Sequence, residues 1–313
     1  MGSTKSLVLA GLLLASLTSR SLAAPSADPG PSVAVGAQYG STHVYVAPSD
    51  FDRLVASLIA TFGGSTSKQA VVQVTPTPSQ TLSQLVLTPV GTFSVFGFKT
   101  PIPYPFGAER TGYLVTDMDT AIAAARRGGA DVIVSKFADP IGQDAIIQWP
   151  GGVNMQLYWH TTAPTYPPLA TVPENRLYVS SDRADEFVRD FVAFSHGKVT
   201  SDNAAAPGLE IGRPAAAYRR IRISSAFGNA VVMVTDGHLP WPYGRELTGY
   251  EVADLSGTLA KASSAGATVL VAPYSADDRR AAIVQFPGGY IAEIHTTDLK
   301  PSRRQGGVDP GDH

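Results

Sequence analysis

Apolar positions along the chain alternate between the two-residue period of a strand and the spacing of a helix, in an order that repeats. An alternating run over residues 43–46 indicates a strand, and apolar residues at helical spacing over residues 51–59 indicate an amphipathic helix. Strand-like runs follow over residues 71–74, 82–87 and 92–99. The pattern predicts a unit made of a strand, a helix and further strands.

The same order returns three more times. A second unit runs from the strand-like segment TGYLV through a helix over residues 120–127 to a Pro-Gly-Gly turn and a last strand over residues 154–159. A third unit begins with the alternating residues 176–179, and a fourth begins with the segment TGYEV. Four such units, two in each half of the chain, predict an α+β protein with curved sheets.

The two halves also match residue by residue. Residues 103–152 align without a gap on residues 240–289, an offset of 137, and twenty-one of the fifty pairs are identical. The densest matches are PYPFGAERTGYLVTD with PWPYGRELTGYEVAD, and IIQWPGG with IVQFPGG. This internal duplication implies that shared positions belong mainly to the scaffold and that differing positions are candidates for function.

Composition and the repeat together divide the chain. Residues 7–17 form an apolar run that follows Lys5, is too short to span a bilayer and precedes a small-residue cleavage site. We therefore expect export to a periplasm or to the outside of the cell; the alternative is a retained membrane anchor. The expected segments are a signal peptide (1–23), a flexible leader (24–39), a first domain (40–162), a Pro-rich linker (163–173), a second domain (174–298) and a disordered tail (299–313).

Charge and cysteine content narrow the possible functions. The formal net charge is −2, so the chain has no basic field for nucleic acid, and no nucleic-acid partner is expected. It contains no cysteine, which excludes disulfides, thiolate nucleophiles and cysteine-ligated metal sites. We expect a monomer or homodimer that has no membrane partner after cleavage.

The segment TGYLVTDMDTAIAAARRGGADVI, the endings WPGGVNMQL and FPGGYIAEI, and His43 on the first strand resemble the vicinal oxygen chelate superfamily. That superfamily includes glyoxalase I, bleomycin-resistance proteins and extradiol dioxygenases. The resemblance covers about 250 residues. It implies tandem glyoxalase-like domains, each of two βαβββ modules that curl into a cup, with a divalent metal (Zn, Ni, Mn or Fe) in the cup. Whether the modules pair within or across the halves stays open at this point.

The resemblance also implies metal ligands at four strand positions, and neither half carries the full set. In the first half the positions match His43, Ser94, Arg110 and Gln156. In the second half they match Arg176, Val231 or Val232, Leu247 and Glu293.

Strand alternation offers a second candidate metal site, because side chains two apart share a face. Glu251, Glu293 and His295 would form a cluster that suits a transition metal, with Glu293 or Glu251 as ligand or base. Their counterparts Leu114, Gln156 and Tyr158 could not hold a metal well. We therefore expect one active second half and a mainly structural first half.

Other candidates concern the substrate. Arg110, Gln156 and Tyr158 are expected to contact it, with Arg110 bound to an anionic group or, alternatively, paired with Glu109. The resemblance implies metal-dependent lyase, isomerase or dioxygenase-type chemistry on a small oxygenated substrate. The alternative is a non-catalytic binding protein of the bleomycin-resistance type.

Overall fold

The computed structural model of the protein describes residues 32–297. Its strands and helices build two curved sheets, one from each half, which confirms the predicted α+β fold. The strands of the first half are β1 (Ser41–Tyr45), β2 (Ser65–Thr66), β3 (Ala70–Val72), β4 (Thr81–Thr88), β5 (Gly91–Phe98), β6 (Arg110–Leu114), β7 (Asp131–Asp139), β8 (Gly142–Trp149) and β9 (Val153–His160). Those of the second half are β10 (Glu174–Val179), β11 (Lys198–Pro207), β12 (Ala217–Ser225), β13 (Gly228–Val234), β14 (Leu247–Glu251), β15 (Thr268–Ala276), β16 (Arg279–Gln285) and β17 (Ile291–Thr296).

Each half contributes two helices: α1 (Phe51–Phe62) and α2 (Met118–Arg127), then α3 (Ala184–Ser195) and α4 (Leu255–Ser264). Aspartates that are identical in the repeat begin α2 and α4. Asp117 accepts a hydrogen bond from Thr120 N at 2.8 Å, and Asp254 accepts one from Gly257 N at 3.0 Å. The shared sequence thus fixes the same helix start in both halves.

The strand order shows how the modules pair. The first sheet runs β2-β4-β5-β1-β6-β9-β8-β7, and the second runs β11-β12-β13-β10-β14-β17-β16-β15. In each sheet the first strands of two modules meet antiparallel at the centre, as His43 does with Arg110 and Arg176 with Leu247. The strands therefore pair within each half.

The convex faces, in contrast, pack across the halves. One apolar cluster joins α1 and β5 to α4 and β17 and includes Phe51, Phe93 and Ile294. A second joins α2 and β9 to α3 and β12 and includes Leu157 and Phe187. Each core is thus built from one module of the first half and one of the second.

Residues 32–39, which composition placed in a flexible leader, pack against the first sheet. Val33 is 1% exposed, and its carbonyl accepts a hydrogen bond from Thr116 N at 2.9 Å. Val35 N donates to Leu114 O at 3.1 Å. Apolar and backbone contacts with β6 override the loop-like composition here. The rest of the predicted leader, the signal peptide and the tail from residue 299 lie outside the described residues.

Within residues 32–297 the structure has no helix that is long and apolar enough to cross a membrane.

Candidate functional site

The concave faces of the first and second sheets, here called cup one and cup two, receive every second side chain of their strands. On β1, Val44 packs into a shared core, and the Thr42 hydroxyl lies 2.9 Å from Tyr250 Oη of the second half. His43 and Tyr45, between and beyond them, face cup one. Strand alternation therefore separates residues that join the halves from residues that face the cup.

Cup one contains a cavity of about 180 Å³. Aromatic rings form much of its wall, among them Tyr45, Phe96, Phe106 and Tyr166. A mostly apolar cavity with a few convergent polar groups is the usual form of a small-molecule site. The polar side chains that reach this cavity include His43, Asp139, Asp144, Gln156, Tyr158 and His160.

A chain of hydrogen bonds crosses the floor of cup one. Arg110 Nη2 donates to Gln156 Oε1 at 2.5 Å, and Gln156 Nε2 donates to Asp144 Oδ2 at 2.9 Å. The guanidinium also lies about 5.5 Å from the ring centres of Tyr45 and Phe106. Arg110 is 1% exposed and does not line the cavity. Its hydrogen bond therefore orients Gln156 from the side of that residue away from the cavity. Glu109 lies 3.6 Å from Arg245 instead, so the alternative pairing with Arg110 is not formed, and the contact of Arg110 with an anionic substrate group stays a prediction.

Burial sets the protonation of two groups in cup one. It lowers the pKa of His43 to about 3, helped by the charge of Arg110, so this imidazole is neutral near pH 7. Burial raises the pKa of Asp144 well above its ordinary value, and the Asp139 carboxylate raises it further. His43 Nδ1 is buried and has no hydrogen-bond partner among residues 32–297. The floor of the cup therefore presents a neutral imidazole and a carboxyl that favours its protonated form.

The rim of cup one draws on segments outside the sheet. Tyr166 of the Pro-rich linker lines the cavity, and its ring centre lies 5.5 Å from that of Tyr39, which precedes β1. Tyr158 Oη donates to the carbonyl oxygen of Tyr39. Segments that the sequence assigned to a leader and a linker thus form part of the candidate site.

Cup two is filled by buried ion pairs. Glu293 pairs with Arg176, and its Oε1 lies 3.5 Å from Arg279 Nη1 and 2.9 Å from His295 Nδ1. Arg279 also donates two hydrogen bonds to Glu174, at 2.7 and 2.9 Å. Burial alone would raise the pKa of Glu293, but the charge of Arg176, the neighbouring His295 imidazole and the charge of Arg279 hold it well below its ordinary value. This cup is packed with its own charged side chains.

A further buried carboxylate in the second half is paired in the same way. Glu210 is 1% exposed, accepts a hydrogen bond from Tyr218 Oη at 2.6 Å and pairs with Arg220. Arg220 in turn reaches Asp277.

The structure does not assemble the predicted cluster of Glu251, Glu293 and His295. Glu251 turns its carboxylate to the hydroxyl of Thr297, whereas Glu293 is held by arginines. His43 lies in the other sheet. Within residues 32–297, no three His, Asp or Glu side chains are arranged to hold a metal.

The side chains at the four ligand positions implied by the resemblance are poor donors for a metal ion. In cup one, Arg110 is a permanent cation with no lone pair to offer, and it occupies the Gln156 oxygen. Ser94 is a weak ligand, which leaves His43 as the one good donor of the four. In cup two, the positions hold a guanidinium, two apolar side chains and Glu293, which is already paired with Arg176. Neither set fits a divalent metal.

The sequence led us to expect the active site in the second half, whereas the cavity described above lies in the first half. Sequence reasoning missed Asp144 and Arg279. Asp144 aligns with Ala281, and Arg279 aligns with Gly142. Both positions lie in a stretch, residues 135–144 against 272–281, in which the two halves share no residue, so the repeat did not single them out.

No protein-family model matches the chain, and no curated protein matches it by sequence. Among solved structures, a mutant of 4-hydroxymandelate synthase from Streptomyces coelicolor is similar at a TM-score of 0.55 and 12% identity, over 85% of this chain and 93% of that one. The Mn(II)-bound glyoxalase from Novosphingobium aromaticivorans gives 0.51 and 13%, over 85% and 83%. The E323L mutant of homoprotocatechuate 2,3-dioxygenase from Brevibacterium fuscum gives 0.52 and 13%, over 89% and 76%. At these identities the likeness shows a shared fold.

Proposed function

We propose that this chain, which has the two-domain fold of the vicinal oxygen chelate superfamily, binds a small, mostly apolar organic molecule in cup one without a metal ion. The observation that carries the proposal is that the cup with the cavity holds an arginine where the resembled family holds a metal ligand. An apolar cavity of roughly 150 Å³ accommodates one benzene ring. At about 180 Å³, cup one suits a molecule with one ring.

The neighbours named as a glyoxalase and a dioxygenase support a second candidate, which is metal-dependent chemistry on a small oxygenated substrate. The donor chemistry of cup one speaks against it, because His43 is the one good ligand at the four implied positions. The binding proposal, in contrast, requires only the shape and polarity that the cup already has. Export from the cytoplasm stays a proposal drawn from residues 1–23.

A ligand-binding test with a blocked cup distinguishes these candidates. Ser94 is 8% exposed, lines the cavity and lies opposite His43 in the register of β1 and β5. Ser94→Trp should fill the cavity. Wild-type protein in EDTA should show a rise in melting temperature with one-ring aromatic compounds, and the variant should not. Binding that requires added Mn²⁺ or Fe²⁺, or that persists in Ser94→Trp, would contradict the proposal.

A further inference from the structure

Cup one contains a buried carboxyl group for which residues 32–297 supply no directly paired cation. Asp144 is 6% exposed and accepts a hydrogen bond from the neutral amide of Gln156. The guanidinium of Arg110 is bonded to the other end of that amide. Within residues 32–297 Asp144 takes part in no ion pair. A buried carboxyl without a cation is costly to ionise, so its presence on the floor of a cavity calls for an explanation.

The second half provides an internal comparison. There the carboxylates that fill cup two have arginine partners: Arg176 for Glu293, Arg279 for Glu174 and Arg220 for Glu210. The position that corresponds to Asp144 is Ala281, so cup two has no equivalent group. The fold therefore pairs such carboxylates where the cup is filled and leaves one unpaired where the cup is open.

The charges around Asp144 favour a cation as the missing partner. Asp139 on β7 also lines the cavity, and no lysine or arginine does. Arg110 on β6 stands behind Gln156, while His43 on β1 is neutral and His160 on β9 has a pKa lowered by burial. With Asp144 ionised, two carboxylates and one guanidinium leave one net negative charge at the cup. A ligand with a single positive charge would neutralise it.

The other groups in the cup suit an ammonium ion on a small apolar frame. Aromatic rings attract a cation placed over their faces, and Tyr45, Phe96 and Phe106 line the cavity. The guanidinium of Arg110 already lies over the rings of Tyr45 and Phe106, which shows that these rings accept a cation. The buried Nδ1 of His43 has no partner and can accept a hydrogen bond in the tautomer protonated at Nε2.

We infer that cup one selects a small aromatic molecule that carries one ammonium group, and that this group binds against the Asp144 carboxylate. The inference rests on the proposed function, because it names the ligand class of the same cup. On binding, the Asp144 O–H bond breaks, its proton passes to solvent, and the carboxylate accepts an N–H of the ligand. A carboxylate ligand is disfavoured by Asp139 and Asp144.

The test uses three probes of one shape: benzylamine, benzyl alcohol and benzoate. Titration calorimetry on the full chain, in EDTA and in two buffers of different ionisation enthalpy, gives both the affinity and the protons released. Benzylamine should bind at least about tenfold more tightly than benzyl alcohol, because hydrogen bonds between ionised groups are stronger than neutral ones. Benzoate should bind most weakly. Benzylamine, and not benzyl alcohol, should release a proton.

Asp144→Asn isolates the carboxyl, since its amide oxygen can still accept from Gln156. The variant should lose the preference for benzylamine and the proton release while it keeps benzyl alcohol binding. Asp119→Asn is the matched control, because Asp119 lies at the surface beside Lys136 and should leave all three affinities unchanged. If Asp144→Asn does not fold, the proton release of the wild-type protein still decides the matter.

The outcomes separate this inference from the proposed function. Equal binding of benzylamine and benzyl alcohol, or binding of benzylamine without proton release, would overturn the ammonium inference and leave a metal-independent binding cup. A preference for benzoate would overturn it as well. Binding of none of the three probes would count against the inference and the proposed function together.

Discussion

Gly112 on β6 lies against the imidazole of His43 on β1, and a Cβ at Gly112 would be 2.5 Å from His43 Nε2. The equivalent glycine of the second half, Gly249, faces Arg176 more loosely, with 3.2 Å between the added Cβ and Arg176 Cδ. Both belong to the shared segment Thr-Gly-Tyr. This glycine makes room at the centre of each sheet for the long inward side chain of the neighbouring strand.

Gly112→Ala should therefore displace His43 and destabilise the protein by roughly 1–3 kcal/mol, the usual cost of an overpacked interior. Gly249→Ala should cost less, because a flexible arginine stem can shift by a few tenths of an ångström. Urea denaturation of both variants measures the difference. A larger loss in Gly249→Ala than in Gly112→Ala would contradict this account.

The ion pairs of cup two predict that substitution of Glu293 lowers the stability of the protein strongly and that substitution of Glu251 lowers it weakly. Glu293→Gln leaves the buried Arg176 and Arg279 short of a negative charge, so we expect a loss of about 3–5 kcal/mol in the free energy of unfolding. Glu251→Gln removes a half-buried carboxylate without an ion pair and should cost less than about 1 kcal/mol. Chemical denaturation near neutral pH tests the pair. Similar losses in both variants would show that Glu293 is not held as described.

Cup one should gain a metal site if its arginine is replaced. Arg110→His together with Gln156→Glu, beside the native His43, would place two imidazoles and a carboxylate at three of the four implied positions. The double variant should bind about one equivalent of Co²⁺ or Zn²⁺, measured by mass spectrometry after dialysis. The wild-type protein should bind none.

His43→Ala in the double-variant background is the control and should abolish the gained metal. A stoichiometric metal in wild-type protein purified without chelator, lost on His43→Ala, would contradict the donor argument.

The pair Glu109 and Glu246, which the repeat conserves between the halves, predicts a pH effect on stability. Burial raises the pKa of Glu246 to about 8 and that of Glu109 to about 7, although Arg245, 3.6 Å from Glu109, acts in the opposite direction. Such a group keeps its proton in the folded protein after the unfolded chain has lost it. The folded state therefore loses stability as pH rises from about 4.5, the ordinary value, to about 8.

Glu246→Gln should reduce the decline in the free energy of unfolding between pH 5 and pH 8, by on the order of 1–3 kcal/mol. Some decline should remain, because Glu109 and Asp144 act in the same direction. Glu186→Gln, at an exposed carboxylate paired with Arg183, should keep the wild-type slope. A Glu246→Gln variant with an unchanged slope would show that this carboxyl is ionised in the folded protein.

The repeat and the change of period predicted the fold because both depend on backbone geometry that the two halves share. Asp117 and Asp254 begin equivalent helices, and the Pro-Gly-Gly turns precede equivalent last strands. The pairing of strands within each half and of cores across the halves could not be predicted. It depends on contacts such as that of Phe93 with Tyr250, which are distant in sequence.

The site was harder to predict because alternation gives the face of a side chain but not its partner. Glu293 and His295 do face cup two, as expected, yet Arg279 reaches Glu293 from β16, a strand that the repeat gave no reason to single out. The predicted metal cluster consisted of side chains that bind a cation. In the structure, Arg176 and Arg279 already supply that positive charge to Glu293. In cup one, the same alternation placed Gln156 correctly and said nothing about Asp144 beside it.

Because the convex faces pack across the halves, neither half of this chain has a complete hydrophobic core of its own. Phe51 and Phe93 of the first half share their cluster with Ile294 of the second, and Leu157 shares the other with Phe187. A polypeptide cut within the linker would therefore expose one side of both clusters. The filled cup and the open cup are mutually dependent, because each half supplies one side of both apolar clusters that support the two sheets.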